Sequence, residues 1–391
     1  MGPLAGIRVL DLTRVVAGPL ATRILADQGA DVIKVEPPDG DLSRTFPPLA
    51  DDGITPYFAQ QNAGKRFCSV DLSAAGASDL LADLAAECDV VVENFRPGVL
   101  ARYGLDAETL CGRSPALVYC SITGFGQDGP WADRRAYAPI GHLESGLLDY
   151  DARKTGRAPQ QPAIVLGDVA TGMMAASSIN ALLLQAARTG QGGQLDVCMV
   201  ESMVYIQEWV STELAGGWSG TNAGSCHEAP ILHLRDGRRW GLGGNPVAWF
   251  ESLAGAMGRE DLLDDPRFAD PIERATNADA VIQLVTEWAD TFERFDDFRD
   301  ELEANSPFTV AELRSIEDLA ATPWAAHRGL FTETSAGFRV PSRPARGAGI
   351  ETTGHLAALG ADNRAVLTEV LGLSNDQLDV LFSVGVLVGP T

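Results

Sequence analysis

Residues 7–36 read IRVLDLTRVVAGPLATRILADQGADVIKVE, and this pattern is the strongest indication of the fold. Two apolar runs within it, Ile7–Thr13 and Ala30–Glu36, are typical of buried strands. The residues between them predict a helix that begins near Gly18-Pro19 and ends before Gly29. The stretch therefore predicts a strand, a helix and a second strand parallel to the first.

The same alternation continues along the chain. Further strands are predicted at Phe67–Leu72, Asp89–Asn94 and Ala116–Thr123, and a helix near Ala74–Glu87 separates the first two of these. Strands that alternate with helices at this spacing form a mostly parallel sheet that is covered by helices on both faces. We therefore predict an α/β protein with a Rossmann-like large domain, whose ligands bind at the carboxyl ends of its strands.

A dinucleotide site is the first possibility for such a sheet, since Glu36 ends the second strand where a ribose-binding acid would stand. The turn after the first strand reads TRVVAGPLATR (Thr13–Arg23), in which the single glycine is followed by proline. A GxGxxG turn, which lets the backbone approach a pyrophosphate closely, is missing. The sequence therefore argues against NAD or FAD binding.

Composition limits the classes of function that remain. The 391 residues are 45% hydrophobic and 21% charged, as in an ordinary soluble protein of two or three domains. The 30 basic and 53 acidic residues give a net charge of −23, which opposes binding to nucleic acid. Residues 251–320 carry 19 acidic and 6 basic side chains, which predicts a solvated acidic face. An anionic ligand must therefore be met by local cations and backbone amides.

Location and redox state follow from what the sequence contains. No apolar run approaches the roughly 20 residues that cross a bilayer, and the start MGPLAGIRVLDLT lacks a basic region followed by an apolar stretch. The six cysteines show no CxxC pairing, and several lie in apolar runs. We expect a cytoplasmic protein without a membrane segment, with reduced cysteines and no metal site.

Asp168 stands at the start of a long apolar helix. Gly167-Asp168 precedes VATGMMAASSINALLLQAAR, and Thr189-Gly190 ends this run. The run predicts one largely buried helix, with a carboxylate in its first turn, where free N–H groups and the helix dipole favour the ionised form. From position alone, Asp168 is either a helix N-cap or a functional carboxylate.

Six blocks of sequence, in this order, are similar to those of the family III CoA-transferases, the group that contains the formyl-CoA and carnitine enzymes and α-methylacyl-CoA racemase. The blocks are VLDLTRVVAGP (Val9–Pro19), GADVIKVEPPDGDLSR (Gly29–Arg44), NAGKRFCSVDL (Asn62–Leu72), ENFRPGVLARYGL (Glu93–Leu105), ITGFGQDGP (Ile122–Pro130), and GDVATG followed by ARTGQGGQLDVCMVES (Ala187–Ser202).

The resemblance implies that Asp168 is the catalytic nucleophile. CoA would pass from an acyl-CoA donor to a small carboxylic acid through an aspartyl anhydride and an aspartyl-CoA thioester, with CoA as substrate and no tightly bound cofactor. GLGGN (Gly241–Asn245) resembles the glycine loop that covers the active site, so Gly243 and Gly244 would supply N–H donors. The alternative is that these glycines serve only the turn after a hairpin, ILHLRDGRRWGL, that reverses at Asp236-Gly237.

The resemblance also assigns CoA contacts to the first domain. The candidates at matching positions are Lys65, Asn94, Arg96, Arg102 and Arg135. Basic side chains suit the phosphates of CoA, although each alone is equally typical of an exposed surface charge. Val16 and Pro37 stand where the formyl-CoA enzyme has glutamine and arginine, so the contacts of those two residues do not transfer to this chain.

The racemase branch is the main alternative, because it uses a histidine just after the GFG loop to exchange the α-proton of a 2-methylacyl-CoA. This chain has Tyr137 at that position, as the transferases do. His142 lies five residues later and is interpreted as a packed or solvent-facing residue, and Ala138 replaces a usual acidic residue. A third alternative is a protein that binds CoA esters without turnover.

The remaining sequence predicts a second, smaller α+β domain and a return to the first. We place the first part of the large CoA-binding domain at 1–200, a linker at 201–225, the small domain at 226–322, and a linker with the C-terminal return at 323–391. In the family that the chain resembles, two chains thread through each other. The resemblance therefore implies an interlocked homodimer.

Overall fold

The computed structural model describes residues 2–49, 53–216, 231–233, 237–347 and 349–390. The chain divides into two compact units. Unit 1 comprises Met1–Glu208 and Pro323–Thr391, and unit 2 comprises Trp209–Thr322.

Unit 1 is built on a parallel sheet of six strands. The strands are β1 (Arg8–Asp11), β2 (Asp31–Glu36), β3 (Arg66–Ser69), β4 (Val90–Glu93), β5 (Val118–Thr123) and β6 (Gly193–Cys198). Their order in the sheet is β3-β2-β1-β4-β5-β6, and every adjacent pair is parallel. The predicted parallel sheet is confirmed. The strand order reverses between β1 and β4, which is where sheets of this kind bind ligands.

Helices connect and cover these strands. Those of the first segment of unit 1 are α1 (Ala17–Asp27), α2 (Pro56–Asn62), α3 (Ala77–Ala86), α4 (Ala107–Arg113), α5 (Ala138–Glu144), α6 (Leu147–Thr155), α7 (Leu166–Thr189) and α8 (Met199–Tyr205). Short 3₁₀ turns lie at Leu42–Thr45 and Leu100–Tyr103. The helix predicted at Gly18-Pro19 begins one residue earlier, at Ala17.

The sheet separates two apolar cores, because alternate residues of a strand point to opposite faces. Strand residues such as Val9 and Val90 pack with residues of α1 and α7 on one face. Leu10, Val91 and Tyr119 pack with residues of α3 and α4 on the other face. The sheet is therefore covered on both sides, as the alternating pattern predicted.

Helix α7 differs from the prediction of a largely buried helix. Its positions 175, 176 and 179 are buried against the sheet and α1, but Met173 is 56% exposed and Leu184 is 52% exposed. The expectation that no apolar run approaches a membrane-spanning length is wrong for α7, which, within the described residues, is the one helix long and apolar enough to span a membrane by length and composition. Helix α7 therefore has apolar residues on two faces. One face packs against the sheet and α1, and the other is exposed to solvent in the single chain.

The second segment of unit 1 returns to the same sheet. It contains α15 (Pro323–His327), the antiparallel hairpin of β10 (Phe331–Glu333) and β11 (Arg339–Pro341), and the helices α16 (Asn363–Leu371) and α17 (Asn375–Ser383). Val366, Leu367 and Leu378 join the core on the α3 side of the sheet. This segment therefore packs into the core of unit 1.

Unit 2 has its own core around an antiparallel sheet of β7 (Ile231–His233), β8 (Arg239–Gly243) and β9 (Thr309–Glu312). Its helices are α9 (Val210–Leu214), α10 (Phe250–Ala256), α11 (Pro271–Thr276), α12 (Ala278–Ala289), α13 (Phe295–Asn305) and α14 (Ile316–Ala320), with a 3₁₀ turn at Glu260–Asp264. Trp240, Phe250 and Phe298 are fully buried there. The pairing of β7 with β8 confirms the predicted hairpin, although Asp236 lies outside the described residues.

The described cysteines are free thiols. They are Cys68, Cys88, Cys111, Cys120 and Cys198. Cys226 lies outside the described residues.

Candidate active site

The carboxylate of Asp168 lies where the starts of three helices meet. Asp168 is the third residue of α7, and the N-cap position is occupied by Val165, which has no capping side chain. The interpretation of Asp168 as the N-cap is therefore wrong. Its carboxylate instead accepts hydrogen bonds from two backbone N–H groups, that of Ala17 at the start of α1 and that of Ala138 at the start of α5.

Two opposing effects act on the Asp168 carboxyl group. Burial raises its pKa above the usual aspartate range, because the charged form loses hydration. The N–H groups of Ala17 and Ala138 act in the opposite direction by stabilising the carboxylate, and so do the electrostatic interaction with His142 and the N–H of Asp168 itself. The result is a carboxylate that is more basic than a solvated one and is held in place by donors from two other helices.

Small residues allow the three helices to approach this closely. A Cβ atom built on Gly172 would lie 2.5 Å from the carbonyl oxygen of Ala17, so α1 and α7 touch where Gly172 has no side chain. Cβ atoms built on Gly141 and Gly167 would lie 2.9 Å and 3.1 Å from Sδ of Met199. The glycines therefore set the spacing of the helices around Asp168.

His142 contacts the residue that precedes Asp168. Its ring is 2% exposed, and its Nε2 accepts a hydrogen bond of 3.0 Å from the backbone N–H of Gly167. Its Nδ1 lies 2.7 Å from Oε1 of Gln161. Of the two predicted alternatives, packed or solvent-facing, His142 is packed, but packing alone does not account for its contact with the first turn of α7.

The loop that leads into α1 is held in an unusual conformation. Val15 has a φ of 70°, which is rare for a β-branched residue and carries a cost of about 1–3 kcal/mol. Its N–H donates to both carboxylate oxygens of Asp41 at 3.2 Å. Asn94 donates to the carbonyl of Arg14 and accepts from its N–H, both at 2.9 Å. The loop is therefore anchored from β4 on one side and from the segment after β2 on the other.

A buried network of ion pairs supports this loop from below. Lys34 and Asp41 pair at 3.0 Å, and Lys65 and Asp11 pair at 2.9 Å, with all four side chains fully inaccessible to solvent. Burial would raise the pKa of Asp11, but the ammonium groups of Lys65 and Lys34 hold it well below its usual range. Nζ of Lys34 also donates to the carbonyl of Thr13 at 2.8 Å.

Lys65 was predicted to contact CoA, and the structure places it inside this network. Its ammonium group donates to Asp11, to the carbonyl of Pro19 and to Oδ1 of Asn62, at 2.9, 3.0 and 2.8 Å. These three acceptors use its three N–H donors. Lys65 therefore supports α1 and has no donor left for a phosphate.

The predicted arginines lie at the carboxyl edge of the sheet. Arg96 and Arg102 are exposed on the segment that follows β4, and Arg135 is exposed on the segment that follows β5. Since β4 and β5 are adjacent and parallel, both segments leave the same edge of the sheet. The chain thus places three cationic side chains there, on the same edge as the loop that precedes α1.

A small cavity lies beneath the segment after β4. It has a volume of about 70 Å³, and its lining includes Glu93, Arg96 and Tyr119. Glu93 is 5% exposed, and burial raises its pKa to about 7, although its carboxylate accepts the N–H of Phe95 at 2.8 Å. This buried acid is therefore close to its titration point at neutral pH.

Two tyrosines have different relations to Asp168. Tyr137 is the residue before α5 and its side chain is 71% exposed, so what reaches Asp168 from this position is the N–H of the next residue, Ala138. Tyr57 of α2 was not identified from the sequence. Its own burial and the nearby charge of Asp168 both raise the pKa of Tyr57. A phenol therefore lies within electrostatic range of the carboxylate.

Gly243 and Gly244 belong to unit 2, where both have local packing reasons to be glycine. A Cβ atom on Gly243 would lie 2.6 Å from Oγ1 of Thr309, and one on Gly244 would lie 2.6 Å from the ring of Phe308. Gly244 also has a φ of 123°, which side chains disfavour. Their predicted role as donors stays a prediction.

Comparison with known proteins points to one family. The family model described as CoA-transferase family III matches residues 4–363. The chain is 36% identical over 348 residues to the succinate–glutarate CoA-transferase of Agrobacterium fabrum, covering 85% of this chain and 86% of that protein. It is 32% identical to the succinyl-CoA:glutarate CoA-transferase of Mus musculus, covering 99% of this chain and 91% of that protein.

A solved structure supports the same relationship. The fold matches the crystal structure of a CAIB/BAIF family protein from Brucella suis with a TM-score of 0.80 and 31% sequence identity. The match covers 94% of this chain and 99% of that one.

Proposed function

The chain belongs to CoA-transferase family III and is a CoA-transferase, and from this premise we propose that it moves CoA between two carboxylic acids through covalent intermediates on Asp168. The observation that carries the proposal is the position of the Asp168 carboxylate, which faces the N–H groups of Ala17 and Ala138 from two neighbouring helices. This arrangement suits a carboxylate that is alternately a nucleophile and an acyl carbonyl.

In the first half of the reaction, an ionised oxygen of Asp168 attacks the carbonyl carbon of the donor thioester. The carbon–sulfur bond breaks, CoA leaves as a thiolate, and a mixed anhydride joins the donor acyl group to Asp168. The thiolate then attacks the carbonyl carbon of Asp168. The anhydride bond breaks, the donor leaves as a carboxylate, and Asp168 carries CoA as a thioester.

In the second half, the acceptor carboxylate attacks the aspartyl thioester and displaces the CoA thiolate, which forms a second anhydride. The thiolate attacks the acceptor carbonyl, so acceptor-CoA leaves and the Asp168 carboxylate is regenerated. Whenever the aspartyl carbonyl is attacked, negative charge develops on its oxygen. The N–H groups of Ala17 and Ala138 are fixed in the fold and can stabilise that oxyanion without reorganisation.

The raised pKa of Asp168 suits this role. A more basic carboxylate is a better nucleophile once ionised, and the two N–H donors keep the ionised form accessible. Fixed geometry supplies the rest, because a carboxylate held in line with a thioester reacts far faster than one free in water.

Small dicarboxylic acids are the proposed acyl groups. The two relatives above are named for succinate or succinyl-CoA and for glutarate. We propose that this chain also uses a succinyl-CoA type donor and a short dicarboxylic acceptor. Tyr57 provides a phenol near Asp168 that could contact the second carboxylate of such an acid.

For CoA, we propose that Arg96, Arg102 and Arg135 contact its phosphates, since all three are exposed at the carboxyl edge of the sheet. Asn94 and Lys65 act instead by holding the loop and helix that present Ala17. Because the large negative net charge of the protein repels an anionic substrate, these local cations have to attract it.

We also propose a cytoplasmic homodimer. Unit 1 exposes large apolar side chains on α7 and α8, among them Met173, Leu184, Val204 and Tyr205. An apolar surface of this kind is typical of a protein interface. A second copy that covers this surface agrees with the interlocked arrangement that the sequence resemblance implies. Analytical ultracentrifugation would measure whether the protein is a dimer in solution.

The test of the catalytic proposal is CoA exchange between succinyl-CoA and glutarate. We expect the wild type to form glutaryl-CoA, and we expect hydroxylamine to convert Asp168 to its hydroxamate when the acyl-CoA donor is present, as read by peptide mass spectrometry. Asp168→Ala should abolish both signals. A chiral 2-methylacyl-CoA, offered in parallel, should keep its configuration. Full exchange by Asp168→Ala, or racemisation without exchange, contradicts the proposal.

A further inference from the structure

The hydrogen bonds of His142 have a defined direction. A backbone N–H can only donate, so Nε2 of His142, 3.0 Å from the nitrogen of Gly167, carries no proton and accepts. The ring proton of this tautomer is then on Nδ1, which donates to Oε1 of Gln161 at 2.7 Å. Nε2 of Gln161 donates in turn to the carbonyl of Pro139 at 3.2 Å. In this series of hydrogen bonds, Gln161 orients the His142 ring, and the carbonyl of Pro139 orients Gln161.

These bonds join α5 to the start of α7 at two points. Ala138 and His142 are one turn apart on α5 and lie on the same face. Ala138 donates its N–H to the Asp168 carboxylate, and His142 accepts the N–H of Gly167. The residue that precedes Asp168 and the carboxylate of Asp168 are thus both held by the same helix.

Close packing leaves little room for another acceptor. A Cβ atom on Gly167 would lie 3.1 Å from Sδ of Met199 and 3.4 Å from Cα of Ala138. The His142 ring is 2% exposed, so water does not readily replace it. Without the ring, the N–H of Gly167 loses its partner in a buried position, and the turn has to move to recover one.

We propose that His142, oriented by Gln161, is a positioning residue that sets the place of Asp168 through the backbone of Gly167. This inference rests on the proposed function, since it assumes that Asp168 is the reacting group. His142 also acts electrostatically on the Asp168 carboxyl, but in this proposal it touches neither the substrate nor the reacting atoms. This role requires a hydrogen-bond acceptor at the place of the His142 Nε2. The amide oxygen of glutamine can supply one, and leucine cannot.

The test compares His142→Leu with His142→Gln in the succinyl-CoA:glutarate exchange. We expect His142→Leu to lower kcat on the order of 10- to 100-fold with KM within about 3-fold of the wild type, because misplacement slows the chemical steps more than binding. We expect His142→Gln to keep kcat within about 3-fold, since its amide oxygen can accept the Gly167 N–H. His355→Leu is the matched control, because that ring is 51% exposed and should leave kcat unchanged.

A variant at the protein surface covers the case in which His142→Leu does not fold. Gln161 is exposed, and Gln161→Met removes the partner of Nδ1 together with the hydrogen bond to the carbonyl of Pro139, while the His142 ring stays in place. We expect it to lower kcat about 3- to 10-fold at unchanged KM and unchanged melting temperature. Equal kcat values for wild type, His142→Leu and Gln161→Met would overturn the inference, and so would a His142→Gln variant as slow as His142→Leu.

Failure of this inference is separable from failure of the proposed function. If Asp168→Ala is inactive and the His142 and Gln161 variants have wild-type kcat, only the positioning role is refuted. If Asp168→Ala keeps full exchange, the proposed nucleophile and the positioning role are both refuted.

Discussion

A single methyl group at Gly172 should separate α1 from Asp168. Gly172 is one turn after Asp168 on the same face of α7, and a Cβ atom there would lie 2.5 Å from the carbonyl oxygen of Ala17. Ordinary contact begins near 3.4 Å, so Gly172→Ala requires a local displacement of about 0.9 Å. Because the carbonyl and N–H of Ala17 belong to the same residue, the donor that faces Asp168 has to move with it.

The expected effect on stability is small. Overpacking costs about 1–3 kcal/mol, and alanine recovers about 1 kcal/mol through its higher helix propensity. The net loss is therefore about 0–2 kcal/mol, which leaves the protein folded at the temperature of the assay. The effect on rate should be larger, because a misplacement near 1 Å at the reacting centre costs up to about 100-fold.

The assay is the CoA exchange rate of purified Gly172→Ala, measured together with its melting temperature. We expect kcat to fall on the order of 10- to 100-fold with little change in KM for the acyl-CoA. Gly112→Ala in α4 is the matched control, because nothing lies within 4 Å of a Cβ atom there; its kcat should be unchanged. A kcat of Gly172→Ala within about 3-fold of the wild type would show that Gly172 does not set the position of Ala17 at the reacting centre.

Three further predictions concern buried charges. Lys65→Met should lower the free energy of unfolding by about 3–5 kcal/mol at both low and high salt, because it removes one partner of the buried pair with Asp11; urea titrations measure this, and a loss below about 1 kcal/mol contradicts it. Burial raises the pKa of Glu93 to about 7, so its contribution to stability is full below its unfolded pKa and lost as the pH rises through 7. The free energy of unfolding of Glu93→Gln should therefore be about 3 kcal/mol higher than that of the wild type above pH 8 and equal to it near pH 4, as measured by urea titration. An equal difference at both pH values would show that the carboxyl group does not titrate this way. Asp168→Asn should lose CoA exchange and, because burial also raises the pKa of Asp168, should melt at a higher temperature than the wild type at pH 7. That gain should shrink as the pH falls from the raised pKa of the folded protein towards the usual aspartate pKa, and it should be gone below the usual value; a lower melting temperature at pH 7 would contradict it.

Much of the parallel sheet was predictable because its signals are local. The apolar runs at Ile7–Thr13 and Ala30–Glu36 are confirmed as β1 and β2, although β1 is shorter at both ends and β2 is shorter at its start. Strand ends lose their pairing partners before the apolar run stops, so such boundaries shift by one or two residues. The prediction that α7 is largely buried was wrong. An apolar composition does not distinguish a helix face that packs inside the chain from an apolar face that is exposed at its surface.

The site was only partly predictable, since its contacts join residues far apart in the chain. Lys34 gave a usable signal, because a lysine within a buried strand must have a partner. His142 gave none, because its partner Gly167 is 25 residues away. Neither did Val15, whose strained conformation depends on Asp41.

The sequence by itself determined the strand and helix alternation, the acidic surface and, through its ordered motifs, the family and the candidacy of Asp168. Periodicity and motif order are properties of neighbouring residues, so they can be read without coordinates. The tertiary structure alone decided that Asp168 is not a helix cap, that Ala17 and Ala138 face it, and that Lys65 is used internally. These facts depend on where three helix starts meet in space, and that meeting is set by packing at glycines and by buried ion pairs between distant segments.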